Sequence, residues 1–289
     1  MSIGTKIRTF FQGSWYDEDL AIMRAADQGS WVGTTVFDGA RFFDGCIPDL
    51  DKHCARINKS AEALMITPIK GSDEILSIIH EGLRAYDPTD AVYIRPMYWA
   101  IDGDVSGIVP KKNSTGFAIC LEAVPMIDQD FSTTLGRTSF RRPVLEDNVV
   151  NAKAGCLYPN NARMLAEVRR NGYGNALVAD AMGNVAESAT ANIFMVKDGS
   201  VYTPIPNGTF LSGITRARHI DNMRIDGMDV QETILTFDDF ANADEVFLSG
   251  NMTKITPVTG FESKSFPIGP VTRRVREMYW DWAKTESFV

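Results

Sequence analysis

A lysine set between alanines and followed by glycine, in Asn151-Ala152-Lys153-Ala154-Gly155, has little beside it to block a bulky partner. Its amine can condense with a carbonyl to form an imine. Five residues on, Tyr158 can offer a phenol to the same neighbourhood. Glu187 precedes a run of small residues, Ser188-Ala189-Thr190-Ala191. A carboxylate flanked in this way suits a site where a flat ring comes close, and facing a heteroaromatic nitrogen it keeps that nitrogen protonated. Ser212-Gly213-Ile214-Thr215 opens an expected helix, with Ile214, Ala217, Ile220 and Met223 along one face. The unpaired N–H groups of such a helix start bind phosphate readily. A second glycine turn, Ser249-Gly250-Asn251-Met252-Thr253, can add donors and hydroxyls, and Arg56 is the best fixed cation for the same anion. Taken singly, each has an ordinary explanation: a loop lysine, a half-buried ring, a strand-edge glutamate, a capped helix, a helix-surface arginine.

Several elements must position these groups. Thr9–Phe11 reads as a strand before a turn at Gly13, and Val36, Phe37, Phe42 and Phe43 suit strands among the glycines that follow. Pro48 opens a helix whose apolar face is Leu50, Cys54, Ile57, Ala61 and Leu64. A second helix starts near Ser72, with Ile75, Ile78, Ile79 and Leu83 on one side, and strands follow over 91–99 and 116–123. The less periodic stretch 124–132 reads as a linker. It divides the chain into a smaller domain, 1–123, and a larger one, 133–289, that carries Lys153. The second half holds strands over 175–180, 191–196, 201–204, 229–235 and 245–249, and helices over 160–170, 214–226 and 271–282. The pattern is α+β, without the βαβ alternation of a doubly wound sheet. Gly-x-Gly-x-x-Gly and Walker A motifs are absent from it.

The chain has 289 residues and a net charge of −8, which disfavours a nucleic-acid partner. The pairs Arg141-Arg142, Arg169-Arg170 and Arg273-Arg274 read as solvated faces. No apolar run reaches membrane-span length. The opening residues Met1–Arg8 lack the apolar core of a secretory signal. Four cysteines without a CxxC pair, and three scattered histidines, give no support for a metal site. They read as reduced thiols of a cytoplasmic protein.

Together, an imine-forming lysine, a ring-nitrogen carboxylate, a phenol and a phosphate cradle are the parts needed to hold pyridoxal 5′-phosphate. The chain resembles the fold-type IV pyridoxal-phosphate enzymes (D-amino acid aminotransferase-like), and most closely the branched-chain amino acid aminotransferases. The matching blocks include Gly33–Arg41, Tyr93-Ile94-Arg95-Pro96, Ala152–Gly155 with Tyr158, Glu187 with Asn192, Gly213–Arg216, Asp244–Gly250 and Ile255–Val258. The resemblance implies a small N-terminal α/β domain, a larger C-terminal pseudobarrel domain and a homodimer. It implies Lys153 as catalytic lysine and proton carrier, and Glu187 at the pyridine nitrogen. Tyr158 falls at the ring oxygen, and Arg56, Gly213, Ile214, Thr215 and Asn251 fall around the phosphate. Substrate contacts fall to Val32, Phe37, Tyr93, Arg95 and Met252, with the arginine helping to bind a dicarboxylate. Three departures stand out. Trp31-Val32 replaces an aromatic pair ending in tyrosine, Phe37-Asp38-Gly39 has aspartate for glutamate, and Lys254 stands where glutamate is typical. The implied reaction is transfer of an amino group from a branched-chain or other apolar amino acid to a 2-oxo acid such as 2-oxoglutarate. An (R)-amine or D-amino acid transaminase and an aminodeoxychorismate-type lyase are the alternatives on the same fold.

Overall fold

The computed structural model describes residues 4–288, so Met1, Ser2 and Ile3 of the opening stretch lie outside the described residues. The chain forms two compact units. Among the described residues the first gathers 4–126, 151–156 and 283–288, and the second 127–150 and 157–282. The first boundary falls inside the expected linker. The segment around Lys153, expected in the second domain, clusters with the first unit, because Ala154 pairs with Val36 as an antiparallel bridge.

The first unit contains strands β1 (Ile7–Phe11) and β2 (Ser14–Tyr16), a short helix α1 (Gln28–Trp31), and strands β3 (Thr35–Phe37) and β4 (Ala40–Phe42). Helices α2 (Leu50–Ala63) and α3 (Ser72–Leu83) follow, then the long strands β5 (Val92–Ala100) and β6 (Thr115–Ala123). Gln12 and Gly13 both take positive φ, 49° and 85°, and close the β1–β2 hairpin in two residues, as a tight hairpin turn requires. The six strands run β2-β1-β6-β5-β3, with β4 also on β5. Along β5 burial alternates, so Tyr93, Arg95 and Met97 share the half-buried face while Val92, Ile94 and Tyr98 are buried. The apolar stripes read from the sequence on α2 and α3 are buried, with Ile57, Ile75 and Ile79 fully so, each contributing about 1.5–3 kcal/mol.

The second unit holds β7 (Thr133–Arg141), α4 (Tyr158–Arg170), β8 (Asn175–Ala179), β9 (Val185–Ser188), β10 (Asn192–Lys197) and β11 (Ser200–Pro204). It continues with α5 (Ile214–Ile225), β12 (Val230–Thr233), α6 (Phe237–Ala241), β13 (Glu245–Gly250), β14 (Lys254–Phe261), β15 (Lys264–Ser265) and α7 (Pro270–Ala283). Nine strands form one sheet ordered β12-β11-β10-β13-β14-β7-β8-β9, with β15 on β14, and it curls until β9 lies against β10 and β11. Strand β10 is buried on both sides. Ile193 and Met195 join one core with Leu177, Leu248 and Phe261, and Phe194 and Val196 join another with Ile220, Met223 and Val275. On α5 the expected apolar face is only partly right: Ala217 is exposed, while Thr215, Arg216 and His219 are buried beside Ile220 and Met223. Arg216 can go inside because Glu232, at 3.0 Å, and the Pro204 carbonyl, at 2.8 Å, take its donors.

Among the described residues the four cysteines are free thiols, and no helix is long and apolar enough to cross a membrane.

Candidate active site

In the first unit one face of α2 organises the lysine. His53, Arg56 and Ser60 recur at three- and four-residue steps, so their side chains point the same way. Ser60 Oγ accepts the Lys153 N–H at 3.1 Å, and the Lys153 carbonyl accepts the Phe37 N–H, also at 3.1 Å. Lys153 Nζ stands 4.9 Å from the centre of the Phe37 ring. Ala152 and Ala154 are buried, and a Cβ on Gly155 would collide with Thr35 Oγ1. The small neighbours of Lys153 therefore serve to thread this segment against β3.

Directly after Phe37, the Asp38 carboxylate is fully buried. It accepts from Arg56 Nε at 2.7 Å, Arg56 Nη2 at 2.8 Å, His53 Nδ1 at 2.7 Å and the Gly39 N–H at 2.7 Å. Burial alone would push this carboxyl up, but the Arg56 guanidinium and His53 outweigh it and hold it well below the usual carboxylate range. Arg56, assigned to the phosphate by resemblance, is thus held rigidly by a carboxylate that directly follows β3, the strand bridged to the Lys153 segment. Gly39 is required because the Tyr93 hydroxyl occupies the space of any Cβ there. On the same sheet Arg95 pairs with the buried Glu122 at 2.6 Å and lies 5.2 Å from the Tyr93 ring centre. Val32 is exposed at the end of α1.

The second unit carries the other predicted residues. Glu187 lies on β9, buried, with Asn192 Nδ2 donating to its Oε2 at 3.2 Å. The same amide reaches the Leu211 carbonyl at 3.3 Å, and Asn192 Oδ1 fills the space a Cβ would need at Gly213. Asn192 therefore ties the carboxylate to the start of α5. Gly213 caps α5 in an extended conformation with no side-chain cap, which leaves the first-turn N–H groups of Ile214 and Thr215 without intrahelical acceptors. Arg142 corrects the reading of Arg141-Arg142 as a solvated face. Arg141 is exposed, but Arg142 is buried, with Nε 3.0 Å from Glu187 Oε1. That approach is poorly aligned for a hydrogen bond and acts as a charge contact. The guanidinium instead donates to Asn161 Oδ1 at 2.5 Å and to the Ser188 and Ala189 carbonyls at 2.9 and 3.1 Å. Arg142 continues the period-two burial of β7, in phase with Thr138, but both of these inward positions carry polar side chains, so hydropathy does not mark it as buried. Asn251 and Met252 sit half-buried in the β13–β14 turn, and Tyr158 opens α4 with its ring partly exposed.

The family model for class IV aminotransferases matches residues 35–261. A putative branched-chain-amino-acid aminotransferase of Methanocaldococcus jannaschii is 31% identical over 95% of this chain and 96% of its own. The branched-chain-amino-acid aminotransferase of Salmonella typhimurium is 30% identical over 92% of this chain and 88% of its own. Among solved structures, a Brucella abortus aminotransferase bound to the cofactor PLP superposes with a TM-score of 0.95 at 52% identity, covering 97% of this chain and all of that one. The branched-chain aminotransferase of Thermoproteus uzoniensis, solved with norvaline, gives 0.89 at 26% identity, covering 98% of this chain and 96% of that one. The chain belongs to the class IV aminotransferases, pyridoxal 5′-phosphate enzymes of fold type IV.

Proposed function

We propose that this enzyme transfers the amino group of an apolar α-amino acid, branched-chain ones among them, to a 2-oxo acid such as 2-oxoglutarate. We further propose that it acts as a homodimer in the cytoplasm. The observation that carries the substrate reading is the setting of Lys153: its Nζ stands 4.9 Å from the Phe37 ring centre, an apolar wall beside the amine. Arg95, the nearest candidate for a second carboxylate along this sheet, is already paired with Glu122 at 2.6 Å. That setting suits an apolar side chain better than a charged one.

The residues present fit the cofactor. The first turn of α5 offers N–H donors and no capping side chain, and Arg56 is a preorganised cation, so Ile214, Thr215 and Arg56 are suited to a phosphate. Glu187, an acceptor-only group when ionised, suits a protonated ring nitrogen, and Tyr158 a ring oxygen. When bound, the cofactor supplies an electron sink next to the substrate's α-carbon. Lys153 Nζ then takes the α-proton and carries it, as a general base that becomes a general acid. Phe37 shields that amine from water on one side. Asn192 and Arg142 set the direction of the Glu187 carboxylate.

Borohydride reduction of the holoenzyme followed by peptide mapping tests the lysine. The cofactor should become fixed to Lys153, and a label on any other residue overturns the assignment. A panel of amino donors with 2-oxoglutarate and pyruvate as acceptors tests the substrates. Turnover of a substrate without any 2-oxo acid would instead mark a lyase.

A further inference from the structure

We infer that Lys254 is a positioning residue for the cofactor's phosphate: it locks the Asn251 amide so that Nδ2 is the group left to donate to the anion. This rests on the cofactor reading above and goes beyond it.

Lys254 begins β14, is 1% exposed and takes a left-handed φ of 62°. Burying an ammonium and bending the backbone this way are both unfavourable, so the residue needs a reason to be there. Its Nζ donates to Asn251 Oδ1 at 2.6 Å. An ammonium can only donate, which decides the orientation of the amide: the oxygen must face Lys254 and Nδ2 must face away. Nδ2 is itself buried, with no hydrogen-bond partner among the described residues, and so is Ser249 Oγ two residues earlier on the same hairpin. A buried amide donor left open beside a buried cation, with a second unpartnered hydroxyl on the same hairpin, forms a set that an anion would satisfy.

The lock extends to α5. His219, one turn beyond Thr215, lies 3.0 Å through Nε2 from the Lys254 carbonyl. A carbonyl only accepts, so Nε2 carries the hydrogen. His219 thus ties the helix whose first turn offers Ile214 and Thr215 to the hairpin that presents Asn251, and it does so through the backbone of Lys254.

The test measures aldehyde uptake by the apoprotein, followed by absorbance, with pyridoxal 5′-phosphate and with pyridoxal, which lacks the phosphate. Lys254→Met should weaken binding of the phosphate ester about tenfold, the scale of one charge-assisted contact, and leave pyridoxal unchanged. Asn251→Asp keeps the oxygen facing Lys254 but removes the Nδ2 donor, so it should weaken the ester at least as much. In an Asn251→Ala background, which has no amide to orient, adding Lys254→Met should cost little more. Asn251→Asp carries the test even if Lys254→Met does not fold. Equal weakening for both aldehydes, or none for the ester, overturns the inference and makes Lys254 structural. If the wild-type apoprotein takes up neither aldehyde, the cofactor reading itself fails.

Discussion

Asp38 in the first unit and Glu187 in the second are both buried carboxylates beside an arginine, yet they are held differently. Asp38 takes four hydrogen bonds at 2.7–2.8 Å, two of them from one guanidinium. Glu187 is approached by Asn192 at 3.2 Å and by Arg142 at 3.0 Å, and Arg142 aims its hydrogen bonds elsewhere. The short, closed set around Asp38 fixes the β3 turn and Arg56 as one rigid piece. The contacts of Asn192 and Arg142 with Glu187 are longer and orient the carboxylate less tightly. A missing methylene at Asp38 fits this division: the shorter side chain sits where the α2 cations come to it.

The largest expected effect breaks the Asp38 set. Asp38→Ala leaves Arg56 and His53 facing each other with no carboxylate, and removing one partner of a buried pair costs about 3–5 kcal/mol. Urea unfolding of the apoprotein measures this, and a loss under about 1 kcal/mol would show that the cluster adds little. The acid limb should change as well. The Asp38 carboxyl is held below its unfolded value near 3.9, so its contribution is present above that pH and is lost as pH falls below it. Asp38→Ala should lack this loss.

The second unit has a different pH window. Burial pushes His219 down to about 4. Because that lies below the unfolded value near 6.5, the unfolded chain binds the proton first, and stability present above pH 6.5 is lost as pH falls toward 4. The loss is on the order of 3 kcal/mol. His219→Gln keeps a donor for the Lys254 carbonyl but cannot titrate, so its stability should change less than the wild type's between pH 7 and 4.5. Identical slopes for the two proteins would mean that His219 is solvated.

Glu187→Gln keeps the shape and removes the charge. Turnover should fall about 100-fold, as when one preorganised electrostatic group is lost, while cofactor affinity falls much less. Arg142→Met should lower kcat by about tenfold through the orientation of Glu187. A wild-type rate in Glu187→Gln would remove Glu187 from the ring nitrogen.

Both units were legible in the sequence where apolar periodicity reports burial. The stripes of α2 and α3, the β5–β6 pair and the β13 strand with its turn lie close to where the pattern places them. Lys153, Glu187 and the α5 start stood out by residue type, and the resemblance assigned their roles. What stayed hidden is polar burial. Arg142, Asn192 and His219 are inside because each hydrogen-bonds a partner distant in sequence, Lys254 because a tight turn brings Asn251 to its ammonium, and hydropathy cannot register a partner. The same blindness placed Ala217 on the inner face of α5. The return of residues 151–156 and 283–288 to the first unit was equally illegible, since it rests on the bridge of Ala154 to β3, on the Ser60 hydrogen bond to Lys153 and on Cys46 pairing with Ser287.

The smallest expected effect concerns substrate choice in the first unit, where Arg95 presents the Asp38 question again in open form. Its guanidinium pairs with Glu122, which is 1% exposed, yet Arg95 itself remains partly accessible. Five donors on a planar fork can serve two carboxylates, so a dicarboxylate substrate would share Arg95 with Glu122. Val32 offers no hydrogen bond to help. The ratio of kcat/KM for 2-oxoglutarate over pyruvate should therefore be modest in the wild type. Glu122→Gln relieves the competition and should raise the ratio, as should Val32→Tyr. Arg95→Leu alone would strand a buried glutamate, so its effect is read in the Glu122→Gln background, where the ratio should fall about tenfold, the worth of one charge-assisted hydrogen bond. Pyruvate kinetics serve as the internal control, because a general loss of folding lowers both acceptors alike. If the ratio stays constant across all three variants, Arg95 is a sheet residue closed off by Glu122 as Arg56 is by Asp38, and acceptor recognition lies elsewhere.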